Sequence, residues 1–290
     1  MARATVRLLL TLAVLAVALP AGAIGQVVPR TGQLTSGTIA VGGATRTYLV
    51  YVPSGYRAGT PLPLVVAFHG GGGFANDMAL GSGLTRQAEP QNFIAAYPQG
   101  IEETWNTEAT DGTFVERSSA DDVAFTRALL QRLQSLLAID DSRIYAVGFS
   151  KGGMFAYTAG CRLPGVFAAV ASVSGPMVTT ACTPAAPLSV LHVHGTADQN
   201  VPFSGGRGLL TDPRNAWPAA SDGLSAWGRA DGCDATATAA ANLVPNWTCS
   251  AFAHCAGGRA VTWCLVQGGA HEWPAAAGGI IAAFLRQHAK

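Results

Sequence analysis

Ile144-Tyr145-Ala146-Val147-Gly148-Phe149-Ser150-Lys151-Gly152 runs from a compact apolar stretch into a glycine-flanked serine. Four apolar residues of this kind read as a strand buried on both faces. Lys151 to Cys161 then reads as a helix. The pattern G-x-S-x-G is common by chance when taken alone. A strand before it and a helix behind it give it weight, because a serine on so sharp a turn is pushed up from the end of a sheet. The flanking glycines let neighbouring backbone come close to it.

Working outward, similar apolar runs recur at Leu64–Phe68, Phe93–Tyr97, Ala168–Val173, Ser189–Val193 and Val261–Val266. Two alternating segments precede them, near Gly37–Val41 and Thr45–Val52, with Gly42-Gly43 between, and predict an antiparallel hairpin at a sheet edge. Val123, Leu130, Leu133 and Leu137 recur at helical spacing, with Asp121 and Asp122 near the start, where acidic groups suit the positive end of the helix dipole. A terminal helix is expected over Ile280–His288. The stretch from Asp212 to Cys255 reads as irregular, with a helix around Trp217 to Trp227. Alternating strands and helices imply an α/β chain with a mostly parallel, doubly wound sheet and helices on both faces.

A serine hydroxyl is a weak nucleophile at neutral pH and needs a base, itself oriented by an acid. In a strand–serine–helix arrangement of this kind the chain order is serine, acid, histidine. Asp198, in Gly195-Thr196-Ala197-Asp198, follows the strand ending near His194. His271, in Gly268-Gly269-Ala270-His271, follows the strand ending near Val266. Both are expected on loops at the carboxyl ends of strands, where open α/β sheets place their sites. His192 and His194 fit a core or supporting role, and His69 an ordering role in its own loop. Asp231 and Asp234 are the alternative acids. Acyl transfer also needs donors for the carbonyl oxygen. The N–H of Lys151 is one candidate, and the loop His69-Gly70-Gly71-Gly72-Gly73 supplies the other, Gly71 first and Gly72 as the alternative.

The chain has 290 residues, 49% hydrophobic, with a formal net charge of +1. One large core is enough to account for it, and no basic stripe points to nucleic acid. Arg3, Arg7 and the short apolar run Leu8–Leu19 end at Ala21-Gly22-Ala23, which reads as an export signal over 1–23 and a single domain over 24–290. No later segment reads as membrane-spanning, and a monomer is expected. The cysteines are Cys161, Cys182, Cys233, Cys249, Cys255 and Cys264. An even number in an exported chain predicts disulfides, with Cys161 and Cys182 paired apart from the other four, whose pairing stays open. No Cys-x-x-Cys occurs, which speaks against a zinc or redox site, and the serine chemistry needs no metal or organic cofactor.

His69-Gly70, Tyr97-Pro98-Gln99-Gly100, Trp105, Asp121-Asp122-Val123, Gly148–Met154, His194–Asp198, Val201-Pro202, Gly232-Cys233 and His271-Glu272-Trp273-Pro274 together resemble the secreted esterase family of polyhydroxybutyrate depolymerases, feruloyl esterases and acetylxylan esterases. The resemblance implies the α/β-hydrolase fold, a catalytic role for Ser150, Asp198 and His271, and a place for Trp105 and Trp273 beside the substrate cleft. It implies an ester substrate, either a polysaccharide-linked feruloyl or acetyl ester or a polyester. Lys151 stands where the family often has Asn, and Ala270 and Ala275 where it often has Gly. An acyltransferase, a serine peptidase or a silent binding module on the same scaffold are the alternatives. Matched ester and peptide-amide substrates separate them.

Overall fold

The computed structural model describes residues 28–109, 116, 118–179, 186–241 and 244–290. The expected export signal and Cys182 lie outside them. Ten strands form one sheet: β1 (Leu34–Val41), β2 (Ala44–Tyr51), β3 (Leu62–Phe68), β4 (Ile94–Pro98), β5 (Ile139–Phe149), β6 (Ala169–Val173), β7 (Ser189–Gly195), β8 (Ala237–Ala239), β9 (Trp247–Phe252) and β10 (Val261–Val266). Their order is β1-β2-β4-β3-β5-β6-β7-β10-β9-β8. The six from β4 to β10 in that order are parallel, and antiparallel pairs close both edges.

The central strands are continuous apolar runs because both faces are covered. Alternate residues point to opposite sides. Leu64, Val66 and Phe68 pack with Ile144, Ala146, Val170 and Val190 in one core. That core is roofed by α3 (Asp122–Leu136), α4 (Lys151–Arg162) and α5 (Ala220–Ala230). Val65, Ala67, Tyr145, Val147, Ala171 and Val193 form the other. Its cover is α1 (Ala75–Gly81), α2 (Leu84–Gln91) and α6 (Ala277–Leu285). The doubly wound sheet and its N-terminal hairpin are as the sequence predicts.

Three features differ from the sequence reading. The helix α5 begins at Ala220, and Trp217 stands before it, bridged to Gly206. The irregular stretch carries β8 and β9, which extend the sheet beyond β10. Asp121 caps α3 by accepting from the Ala124 N–H at 2.7 Å, as its position suggests, but Asp122 is buried. It takes a 2.6 Å ion pair from Arg46 and a 2.8 Å hydrogen bond from the Asn106 N–H. Burial raises the Asp122 pKa, and the hydrogen bonds from Asn106 and Arg46 oppose that rise.

Two disulfides lie in the added edge. Cys249–Cys264 crosslinks β9 and β10 at directly opposed positions, and Cys233–Cys255 ties the end of α5 to the turn after β9. None of the described cysteines is a free thiol. Among the described residues no helix is long and apolar enough to cross a membrane.

Candidate active site

The site is built where β3, β5, β7 and β10 end. Ser150 sits between β5 and α4 with φ 51° and ψ −120°, a conformation that costs a non-glycine residue about 1–3 kcal/mol. Its N–H donates to the Val173 carbonyl at 2.8 Å, and its own carbonyl accepts from Met154 at 2.9 Å. Two glycines make the turn possible. A Cβ on Gly148 would lie 2.1 Å from the Gly152 carbonyl oxygen, and one on Gly152 would lie 2.2 Å from that of Phe68. The pattern G-x-S-x-G is therefore dictated here by contact between backbones.

Asp198 and His271 stand on adjoining loops whose backbones are tied together. Ala197 N–H donates to the Gly269 carbonyl at 2.9 Å, Thr196 N–H to that of Val266 at 3.0 Å, and Gly268 N–H to Thr196 Oγ1 at 2.8 Å. On this frame His271 Nε2 lies 2.8 Å from Ser150 Oγ and His271 Nδ1 lies 2.7 Å from Asp198 Oδ2. A carboxylate only accepts, so Nδ1 carries the proton and Nε2 is left to accept from the serine hydroxyl. Phe149 lies beside the imidazole, with ring centroids 5.2 Å apart.

Asp198 is buried, and each of its oxygens is engaged. Oδ1 accepts from the N–H groups of Asn200 at 2.9 Å and Val201 at 2.8 Å. Oδ2 accepts from His271 and, at 3.3 Å, faces His194 Nε2. Burial pushes its pKa up, but the hydrogen bonds from His194, His271 and Val201 outweigh that and hold the carboxyl well below the usual range. The alternative acids lie elsewhere: Asp231 accepts from the Leu188 N–H, and Asp234 pairs with the exposed His254.

The glycine loop after β3 is set by His69. Gly100 N–H donates to His69 Nε2 at 3.0 Å, so Nδ1–H donates to the Gly70 carbonyl at 2.8 Å. Burial lowers the His69 pKa, with the Gly70 hydrogen bond opposing it, which favours this neutral form. Gly72 N–H donates to the Glu103 carbonyl at 2.8 Å, which leaves Gly71 as the better placed of the two glycines for a substrate oxygen. Lys151 begins α4, and its side chain turns to Glu116, Nζ to Oε1 2.9 Å.

A cleft of about 610 Å³ opens over Ser150, His271, Gly71 and Lys151, with Asn200, Asp212, Asn215 and Trp217 along its walls. A smaller cavity of about 280 Å³ lies across the glycine loop, lined by Phe149, Met78 and Trp273. Trp273 is thus beside the site, its Nε1–H donating to the Ser82 carbonyl at 3.0 Å. The expectation for Trp105 is corrected. Its ring is fully buried against Phe68 and Phe155, and its Nε1–H donates to the His69 carbonyl at 2.8 Å. It supports the glycine loop from below and cannot touch a substrate. The cleft wall carries Trp217, which the sequence pattern predicts to lie in a helix. Asn200, two residues past Asp198, was also missed, although its closeness to the acid was a signal for it. No group of three His, Cys, Asp or Glu side chains among the described residues is placed to hold a metal ion.

Residues 40–268 match the protein-family model Esterase, described as "Putative esterase". "Putative esterase NocK" of Nocardia uniformis subsp. tsuyamanensis is 33% identical over 261 residues, covering 83% of this chain and 74% of that protein. Feruloyl esterase B of Piromyces equi is 31% identical over 238 residues, 78% of this chain, which spans only 42% of that longer protein. Among solved structures, an acetyl xylan esterase from Aspergillus awamori superposes with a TM-score of 0.64 at 15% identity, over 87% of this chain and 99% of that one. At that identity the likeness concerns the fold, which is that of the α/β-hydrolases.

Proposed function

The chain belongs to this esterase family, and from that membership we propose that it is an exported serine esterase cutting carboxylic esters of polymers or their fragments. Ser150 Oγ attacks the ester carbonyl while His271 Nε2 takes its proton. The N–H groups of Gly71 and Lys151 receive the developing oxyanion. His271 then passes the proton to the departing alkoxide, leaving an acyl group on Ser150. Water repeats the sequence in reverse roles and frees the acid. Asp198 keeps Nδ1–H pointed and stabilises the imidazolium that forms.

The observation that carries this reading is the continuous Ser150–His271–Asp198 hydrogen-bond run, 2.8 and 2.7 Å, opening on the cleft. The polar cleft walls, with Asn200, Asp212 and Asn215, favour an ester whose alcohol is itself polar, such as a sugar unit. The relative named feruloyl esterase B supports that class. Trp273 and Phe149 give the smaller cavity an aromatic wall suited to a flat or apolar group. The reading includes export with cleavage after Ala23, residues 24–290 as one catalytic domain, action as a monomer, and a Cys161–Cys182 bridge.

The test is hydrolysis of methyl ferulate, a short-chain aryl acetate and a hydroxybutyrate oligomer by the mature protein and by Ser150→Ala. Turnover by the intact protein and loss by at least about a thousandfold in the variant is expected. Equal activity in the two would refute Ser150 as nucleophile, and the preferred ester selects the substrate class.

A further inference from the structure

Behind the acid, three buried side chains stand in line. Tyr157 Oη is 3.1 Å from His192 Nδ1, His192 Nε2 is 2.9 Å from His194 Nδ1, and His194 Nε2 is 2.7 Å from the Val201 carbonyl oxygen. His194 Nε2 also faces Asp198 Oδ2 at 3.3 Å. Both imidazoles are fully buried, and Phe203 packs against each, with ring centroids 6.1 and 5.6 Å away.

For a neutral His194, the contact with the Val201 carbonyl fixes the direction of the others. A carbonyl oxygen only accepts, so His194 Nε2 carries a proton. In a neutral imidazole Nδ1 is then bare, and His192 Nε2–H donates to it. His192 Nδ1 is bare in its turn, and the Tyr157 hydroxyl donates to it. Burial holds the His192 pKa well below the ordinary imidazole range, which agrees with a neutral ring. The flanking strands bring no titratable group: Ser172 and Trp263 stand beside His192, and Leu265 beside His194.

Asp198 Oδ2 thus lies between two histidines, His271 at 2.7 Å and His194 at 3.3 Å, and a carboxylate stabilises a positive charge on either. Only a charge on His271 serves the reaction. We propose that Tyr157 and His192 lock His194 as a neutral ring, its Nε2–H given to the Val201 carbonyl and fixed 3.3 Å from Asp198 Oδ2, so that Asp198 faces a constant dipole there and keeps its charge for His271. With His192 N–H occupying His194 Nδ1, that nitrogen has no free lone pair to take up a proton. Tyr157, His192 and His194 are positioning residues in this scheme. The inference rests on the catalytic reading given above.

The first test is a nitrogen–proton correlation spectrum of the histidine side chains in the full mature protein, followed across pH. His192 and His194 should both show the neutral form with the proton on Nε2. A proton on His194 Nδ1, in either the other tautomer or the charged form, overturns the inference. The second test compares His194→Met, which lacks a donor, with His194→Gln, which restores an N–H near the same place. Rates are taken per acylated site, so that any unfolded fraction drops out. His194→Met should lose about tenfold in kcat with KM little changed and should move the acid limb of the pH profile upward, because the freed Oδ2 holds the His271 proton more strongly. His194→Gln should recover most of both. Wild-type kcat and pH profile in His194→Met would sink the proposal while Ser150→Ala remained inactive. Activity in Ser150→Ala would instead remove the catalytic reading beneath it.

Discussion

Gly152→Ala adds one methyl group at the tightest backbone contact of the site. An ideal Cβ there would lie 2.2 Å from the Phe68 carbonyl oxygen and 2.4 Å from that of His69, against the 3.4 Å at which ordinary contact begins. Neither neighbour is a flexible side chain that could swing away. The end of β3 must retreat by about 1 Å, a displacement that costs about a hundredfold where reacting groups are misplaced by it. The segment that moves leads directly into Gly70 and Gly71, so the proposed oxyanion donor moves with it. Losing such a donor outright costs a factor of about 10²–10³ in kcat. Overpacking should also lower stability by about 1–3 kcal/mol. Gly279→Ala, on α6 away from the cleft, is the control, because its Cβ would meet only Gln87 Nε2, at an ordinary 3.7 Å. The assay is kcat/KM on an aryl acetate, corrected for active fraction by the acylation burst, beside thermal unfolding. A folded Gly152→Ala with the kcat/KM of the parent would refute the argument that backbone contact, here at the second glycine of the motif, sets the oxyanion geometry.

Two further perturbations test the scaffold. Burial raises the Asp231 pKa from 3.8 to about 7, against the opposing hydrogen bond from Leu188 and the charge of Arg259, and its Oδ2 has no hydrogen-bond partner. The folded protein therefore holds this proton more tightly than the unfolded chain, so stability is full below about pH 4 and falls by about 1.4 kcal/mol per unit as pH rises toward 7. Asp231→Asn should remove that slope. Urea unfolding at several pH values compares the two proteins, and parallel curves would show that Asp231 does not carry the effect. Replacing Cys249 and Cys264 by serine opens a crosslink of sequence separation 15 between paired strands, and should cost about 3 kcal/mol and lower Tm by about 5–10 °C. An unchanged Tm in the oxidised variant would show that β9 is held by its strand pairing alone.

The parts of this fold that could be read from sequence are those whose environment leaves a one-sided signature. Strands β3, β6 and β7 over most of their length, and β5 over Ile144–Gly148, are buried on both faces, so they appear as unbroken apolar runs. The residues of the candidate site stand just beyond those runs, and their order along the chain narrows their roles. Helices α1 and α2 are hidden for the opposite reason. Gly81, Ser82 and Gly83 interrupt them, Pro90 lies inside the second, and packing against α6 holds what local preference would not. Strand β9 alternates, but through Thr248 and Ser250 on one side and Cys249 and Ala251 on the other, a contrast too weak to mark a strand until the Cys249–Cys264 bridge fixes its register. Trp105 shows a different limit. A tryptophan near a catalytic loop reads alike whether its ring faces substrate or supports the loop from beneath, and only the burial of the ring and the partner of its N–H distinguish the two.

Asp122 and His194 extend that point from burial to charge. The carboxylate of Asp122 lies in the first turn of α3, where the helix dipole alone would justify it, yet its geometry is governed by Arg46 and Asn106, 76 and 16 residues away in the chain. His194 closes a strand and would pass as core, yet it faces the same oxygen that orients His271. In both cases the chemistry depends on a second group that sequence proximity does not reveal. The backbone bonds between the Asp198 and His271 loops hold the acid and base in place before any side chain is considered. What remains for Tyr157, His192 and His194 to settle is where a proton resides. Their loss should accordingly be felt in kcat and its pH dependence, and hardly in substrate binding.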